Sequence, residues 1–399
     1  MQQAAAEAAV DSVAPARVLP LIVLAQLLGT SSWFAVNAVM PDLQREFGWG
    51  ATAVGTLSSA LQLGFIAGTL VFALLALADR WPARQVFLYC ALAAAACTLA
   101  AAASAGSFRW LMVCRVLTGF FLAGIYPVGM KIAAQWFPRG LGAALGWLVG
   151  ALVLGSASPH ALRALGGSLP WPGVLLTVAA ASALAGLLVA LGVPEPRAVP
   201  PQPAGLRLGA LRALWRERRL RASALGYFGH MWELYSLWVL VPGMVATRLA
   251  GAQAVSWAAF GVLAVGVLGC VAGGWLVRRH GSARVAAAQL TTSAACCLLA
   301  PWVLGAPDAV FVLWLLVWGT TVVGDSPQFS ALTAANAPPA VVGSVLTLTT
   351  CIGFAISALS IELFVRLVQA HALAQVLPWL ALGPLLGLVA LRPLLQRPR

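Results

Sequence analysis

Twelve continuous apolar runs divide the chain, each about twenty residues long and separated by short polar breaks. A helix of that length crosses the roughly 30 Å hydrocarbon core of a bilayer. Lipid offers backbone N–H and C=O groups no partners, so each run must satisfy them within a helix. A membrane β-barrel would show segments of about ten residues with alternating polarity instead. The pattern predicts spans over residues 18–40, 51–78, 85–104, 109–136, 141–165, 172–193, 221–247, 254–277, 285–304, 309–333, 341–369 and 375–392.

Polar positions inside the runs are few and unevenly placed. Residues 226–238, G-Y-F-G-H-M-W-E-L-Y-S-L-W, hold the densest group. An ionised side chain at the bilayer centre costs roughly 2.5–3.5 kcal/mol on insertion scales, so it needs a partner, water or a function. His230 and Glu233 are three apart and share one side of a helix. In the first span Gln26, Thr30, Trp33 and Asn37 follow steps of 4, 3 and 4, a stripe along one face. The fourth span carries Arg115, Tyr126 and Lys131, and the tenth carries Trp318, Asp325 and Gln328. Glu362 in the eleventh has Arg366 four residues on, a ready intrahelical partner.

Composition agrees with an all-α integral membrane protein. Of 399 residues, 61% are hydrophobic and 9% charged, against about 25% charged in soluble chains. The net charge of +13 would fit a nucleic-acid partner, but its distribution points elsewhere. With the N-terminus inside, the inner segments hold seventeen of the 24 basic residues and the outer loops only Arg45, Arg109, Arg163 and Arg248. This is the asymmetry of the positive-inside rule. It places both termini on the cytoplasmic side of the inner membrane and excludes a nucleic-acid partner. All seven cysteines fall in predicted spans without a C-x-x-C pair and read as apolar packing residues. Residues 1–17 read as a cytoplasmic tail, and the first span as an uncleaved anchor. Residues 194–220, with five prolines and a basic run, read as a cytoplasmic linker between six-span halves at 18–193 and 221–399.

The halves repeat. D-R-W-P-A-R at residues 79–84 follows the second span, and R-R-H-G-S-A-R at 278–284 follows the eighth, 199 residues later. Pro138 and Gly142 recur as Pro338 and Gly343. The loop at residues 77–84 resembles the D-R-x-G-R loop of the major facilitator superfamily, with Leu75 and Ala83 in place of its glycines. Its second copy keeps Gly274 and Gly281 but has Arg278 for the acid. Arg115 with Gly119 resembles the family's R-x-x-x-G motif, and W-F-P-R-G at 136–140 its entry to helix five. Gly146, Gly150 and Gly155 keep the rhythm of the family's antiporter signature, but Ser158-Pro159-His160 replaces its Gly-Pro step.

This resemblance implies twelve transmembrane helices in two pseudo-symmetric six-helix bundles. It also implies a cavity lined by spans one, four, seven and ten, which contain most of the polar positions above. The substrate and proton cavity is then expected to involve Gln26, Thr30, Trp33, Asn37, Arg115, Tyr126, His230, Glu233, Trp318, Asp325 and Gln328. Glu233 is the expected proton carrier, with His230 beside it and Arg115 across the bundle interface. The alternative for Glu233 is a permanent salt bridge. Arg115 reads either as an anion contact or as a tie to neighbouring carbonyls. Lys131, roughly 24 Å along the helix from Arg115, is expected to snorkel to the cytoplasmic rim. Asp79, Arg80 and Arg84, with Arg278, Arg279 and Arg284, are expected to latch the cytoplasmic gate.

Residues 124–131 miss a Walker A loop by one insertion and lie in a span, so ATP is not the energy source. His230 and Glu233 lack a second metal-ligating histidine nearby, and no enzyme, cofactor or metal is expected. The combined expectation is a monomeric, proton-coupled secondary carrier of a small anionic or zwitterionic solute. An exporter of amphipathic compounds is the alternative, and a non-transporting sensor or scaffold a further one.

Overall fold

The computed structural model describes residues 15–103, 106–137, 141–165, 170–195, 205–207 and 209–396. Most of the N-terminal tail, Pro138, Gly140 and the linker prolines 196–203 lie outside the described residues, as do Arg139, Arg197, Arg397 and Arg399. Among the described residues, eleven helices are long and apolar enough to cross a membrane: α1 (Val18–Phe47), α2 (Ala53–Leu74), α3 (Ala83–Ala103), α4 (Phe108–Trp136), α5 (Gly142–Leu165), α6 (Trp171–Gly192), α8 (Ala252–His280), α9 (Ser282–Val303), α10 (Asp308–Asn336), α11 (Pro339–Ala370) and α12 (Leu373–Leu395). The twelfth, α7 (Arg218–Ala246), contains His230, Glu233 and a basic first turn, which dilute its apolarity. It persists because it is buried almost all round between Leu220 and Val241. A short helix, Gly209–Arg216, leads into it.

Each half is knitted by the same backbone approach. A Cβ at Gly64 or Gly68 of α2 would overlap the carbonyl oxygens of Val116 and Phe120 in α4, and one at Gly119 would overlap that of Leu61. In the second half, Gly269 of α8 stands on the Thr320 carbonyl and Gly319 of α10 on that of Val262. Small residues let helices approach closely where lipid supplies no hydrophobic drive between them. Gly64→Leu and Gly269→Leu are each expected to destabilise the fold by about 1–3 kcal/mol or more, the range for overpacking. Gly146→Ala, which meets open space, is expected to be silent. The monodisperse fraction on size-exclusion chromatography checks both.

Several spans are broken, and for three of them the cause is local. In α1 a 3₁₀ turn at Ser31–Trp33 interrupts the helix. The hydroxyls of Thr30, Ser31 and Ser32 bond back to the carbonyls of Gln26, Leu28 and Gly29 at 2.7, 2.6 and 3.0 Å. Such back-bonding competes with the helical ladder and bends it. In α4 and α10 the breaks precede Pro127 and Pro327, two hundred residues apart, where proline removes a ladder bond. Further breaks fall at Val265 in α8 and at the 3₁₀ segment Leu377–Ala381 in α12.

The bundles meet through α2 on α11 and α5 on α8. The end of the molecule bearing Arg17, Arg80, Arg84, Arg278, Arg279, Arg284 and Arg392 is the basic end. Exposed tryptophans sit near both ends, with Trp81, Trp215 and Trp275 at the basic one and Trp110, Trp302 and Trp379 at the other. That is the aromatic belt of a multi-pass membrane protein.

Candidate functional site

Six aromatic side chains from both bundles meet at the molecule's centre. Trp33 of α1 stacks on Tyr235 of α7 at 5.8 Å between ring centroids and 13° between planes. It also contacts Phe65 of α2 at 5.0 Å and Phe354 of α11 at 5.6 Å. Phe65 and Phe354 are 4.6 Å apart. Phe34 lies over Tyr235 and meets Trp238 edge-on at 5.7 Å. All six rings are buried. Beyond this box the bundles remain joined towards the non-basic end, where Ser59 Oγ donates to the Ala358 carbonyl at 3.0 Å and Gly55 rests on Val365. Tyr126 of α4 is half-buried just past the break of its helix, and Tyr227 of α7 is buried with its ring 5.8 Å from that of His230.

The stripe on α1 is buried, but its members have different partners. Thr30 is used in the break. Trp33 joins the box. Asn37 donates to Ser58 Oγ of α2 at 2.7 Å. Gln26 is fully buried against Gly129 of α4, with neither amide atom partnered among the described residues. Arg115 reaches the same break from α4. Its guanidinium donates to the Ser32 carbonyl at 2.9 Å and the Trp33 carbonyl at 2.5 Å. It therefore clamps carbonyls freed by the 3₁₀ turn, the second of its two readings. No carboxylate pairs with it among the described residues.

Glu233 lies elsewhere than expected. Its Oε1 accepts hydrogen bonds from Trp318 Nε1 of α10 at 2.5 Å, from Cys297 Sγ of α9 at 3.2 Å, and from Ser293 Oγ of α9. All four residues are buried. The carboxyl thus points into the interior of the second bundle, away from the bundle interface and from Arg115. The expected approach of Arg115 to Glu233 is not met, because each finds partners on its own side. Trp318 turns inward with it and meets Trp314 in a tilted contact at 5.0 Å, so its ring does not line the interface.

His230 and Asp325 form a second buried pair. His230 Nδ1 lies 2.7 Å from Asp325 Oδ1, within ion-pair reach but misaligned for a hydrogen bond. Asp325 occupies the break of α10, so the pair ties the middle of α7 to the hinge of α10. His230 Nε2 and Asp325 Oδ2 have no hydrogen-bond partner among the described residues. Gln328, one turn past the break, is buried near Gly273 of α8.

At the basic end Lys131 of α4 reaches the rim and bonds both Asp79 and the Ala78 carbonyl. Asp79 therefore pairs with α4 instead of with its loop neighbours Arg80 and Arg84. Arg84 Nε instead holds Glu195 after α6 at 3.0 Å. Ala76, just before the loop, adopts φ 48° and ψ 41°. A non-glycine side chain in that left-handed region costs roughly 1–2 kcal/mol, beside the position where the family has glycine. Arg80, Arg278, Arg279 and Arg284 make no ion pair among the described residues.

Sequence reasoning missed Tyr235, Trp238, Phe34, Phe65 and Phe354 as a shared cluster, and Ser293 and Cys297 as partners of Glu233. The i, i+4 spacing of Ser293 and Cys297 is the one available signal for the latter, since it puts both on one face.

Comparisons with known proteins fit this geometry. The family model of the Major Facilitator Superfamily matches residues 22–361. A chloramphenicol resistance protein of Streptomyces lividans is 34% identical over 239 residues, which cover 58% of this chain and 59% of that one. The niacin transporter NiaP of Acinetobacter baylyi is 26% identical over 313 residues, 69% of this chain and 66% of that one. The matches thus span less than two thirds of either relative's length. Among solved structures, the human organic anion transporter MFSD10 superposes with a TM-score of 0.74 at 20% identity, covering 95% of this chain and all of the other. With the family match extending from α1 into α11 and the repeated bundles beneath it, this chain belongs to the Major Facilitator Superfamily.

Proposed function

We propose that the protein is a proton-coupled secondary carrier that moves small aromatic, amphipathic solutes by alternating access. The observation that carries this reading is the aromatic box, because its rings come from both bundles. Rocking the bundles apart would separate Trp33 and Phe65 from Tyr235 and Phe354, exposing flat apolar faces on two sides of one chamber. Such faces take aromatic rings in offset or edge-on contact. Arg115 gives little support to an anionic solute, since its guanidinium is engaged by Ser32 and Trp33. The relatives named for chloramphenicol resistance and niacin transport concern compounds that each carry an aromatic ring.

Proton coupling is assigned to the two buried acids of the second bundle. Glu233 bridges α7 to α9 and α10 through three donors that it holds best when ionised. Protonating it weakens those bonds and loosens α7. The His230–Asp325 pair acts at the α10 hinge in the same way. Asp79 with Lys131 and Arg84 with Glu195 tie helix ends together at the basic end, which we assign to the cytoplasm with both termini. The protein would work as a monomer in the inner membrane, with the linker around residues 194–220 joining the bundles.

The test is flux into proteoliposomes under an imposed pH gradient, across matched aromatic and aliphatic solutes. Aromatic solutes are expected to be driven and aliphatic ones not. Tyr235→Ala is expected to raise the half-saturating concentration about two- to tenfold, the equivalent of one aromatic pair. Equal flux of aliphatic solutes, or an unchanged Tyr235→Ala carrier, would overturn the aromatic reading.

A further inference from the structure

We propose that the linker helix Gly209–Arg216 and the arginines around it form a binding site for anionic phospholipid in the leaflet at the basic end. The helix has three distinct flanks. One is docked: Ala210 and Leu214 are buried against Leu220, Ala224 and Val345. The chain just before it is pinned to α11, where the Arg207 N–H donates to Ser344 Oγ at 3.0 Å and its guanidinium to the Ala340 carbonyl at 3.2 Å.

The second flank is apolar and uncovered. Leu211 and Trp215, four residues apart on one stripe, are 47% and 56% exposed. Tryptophan at such a position belongs at the headgroup level, and Trp81 and Trp275 project from the same end of the molecule. The third flank is basic. Arg212 and Arg216, again four apart, are exposed, and like Arg218 they have no hydrogen-bond or ion-pair partner among the described residues. Their neighbours are engaged otherwise: Arg221 bonds the Trp215 carbonyl at 2.6 Å and Arg219 the Asn336 amide oxygen at 3.1 Å. Glu217 is the single acid among the described residues from 205 to 221.

A helix with an apolar flank beside an arginine flank, at the end of a membrane span, has the geometry of one lying in the interface plane. Leu211 and Trp215 enter the boundary between headgroups and acyl chains, and Arg212 and Arg216 meet phosphate. Basic clusters beside transmembrane helices draw anionic headgroups in this way. Because this segment joins the two bundles, a lipid held there fixes the linker to the bilayer surface. The site is separate from the aromatic box and from the buried acids, and it does not depend on the transport reading.

The test uses the purified full-length chain in detergent, titrated with phosphatidylglycerol or phosphatidylcholine and followed by native mass spectrometry. The wild-type chain is expected to retain phosphatidylglycerol in preference to phosphatidylcholine. R212Q/R216Q is expected to weaken phosphatidylglycerol binding about twenty-fivefold, from about fivefold for each arginine near a charged surface. R212K/R216K keeps the charge and is expected to retain most of the preference. R278Q/R279Q, at the same end of the molecule, is expected to leave it unchanged. Trp215→Ser is expected to weaken retention of both lipids, and its result stands if the double variant does not fold. Unchanged phosphatidylglycerol binding in R212Q/R216Q or in Trp215→Ser would overturn the site. So would an equal loss in R278Q/R279Q, or competition by millimolar inorganic phosphate, which would mark a site for free phosphate.

Discussion

Glu233→Gln is expected to abolish accumulation of solute against its gradient while leaving the protein folded. Glutamine keeps an acceptor oxygen for Trp318 Nε1 and Ser293 Oγ, the shortest contacts of the site, but it cannot take up or release a proton. Exchange of labelled solute across equal concentrations should survive, since it needs no driving ion. Glu233→Leu separates the two roles. It removes the acceptor and leaves the Trp318 and Ser293 donors buried and unpaired, at about 1–3 kcal/mol for each group. The glutamine variant should therefore melt near the wild-type temperature, and the leucine variant well below it. Counterflow and melting measured on the same preparations distinguish the two. Wild-type accumulation by Glu233→Gln would remove the carboxyl from the coupling mechanism.

Arg115→Leu is expected to carry the largest cost in stability of any single change at the site. Two carbonyls of the α1 break, at Ser32 and Trp33, depend on its guanidinium. Hydrogen bonds to charged groups are worth about 1.5–3 kcal/mol each, so the pair accounts for about 3–6 kcal/mol. That is a large share of the roughly 5–15 kcal/mol that holds a folded chain together. Trp33 sits in the same turn, so the loss reaches the aromatic box directly. Arg115→Lys can satisfy one carbonyl and should fall between. Thermal unfolding of the three proteins in one detergent checks the order. A leucine variant as stable as the wild type would show that the clamp adds nothing.

The spans were legible because lipid imposes a single requirement, length with apolarity, that the sequence states openly. Even α7 was legible as a span, although its His230 and Glu233 dilute the apolar signal. Its rotation was not. A helix with a lipid-facing stripe shows which side faces inward, but α7 is buried on nearly every side, and polar or aromatic residues occupy several of its faces. Spacing alone fixed His230 and Glu233 relative to each other, and left open whether they look towards Arg115 or towards Ser293 and Asp325. Asp325 was visible as the break of α10 because Pro327 marks it. The break in α1 was hidden, since it comes from hydroxyls bonding to their own helix at Thr30, Ser31 and Ser32, residues common in unbroken membrane helices. The aromatic box was hidden for a different reason. It is assembled from α1, α2, α7 and α11, and the sequence gives no register between helices so far apart in the chain. In the sequence Arg115 fits an anion contact and a carbonyl tie equally well, because nothing there shows that the α1 break sets the Ser32 and Trp33 carbonyls beside it.

The most direct test of the central claim is a pH-sensitive dye sealed inside proteoliposomes, read while an aromatic solute is added outside with no imposed proton gradient. A proton-coupled carrier must move protons when the solute runs down its own gradient. The account predicts a change in internal pH with the wild-type protein, and none with Glu233→Gln although the solute still equilibrates. Solute entry through the wild-type protein with a flat pH trace would contradict it.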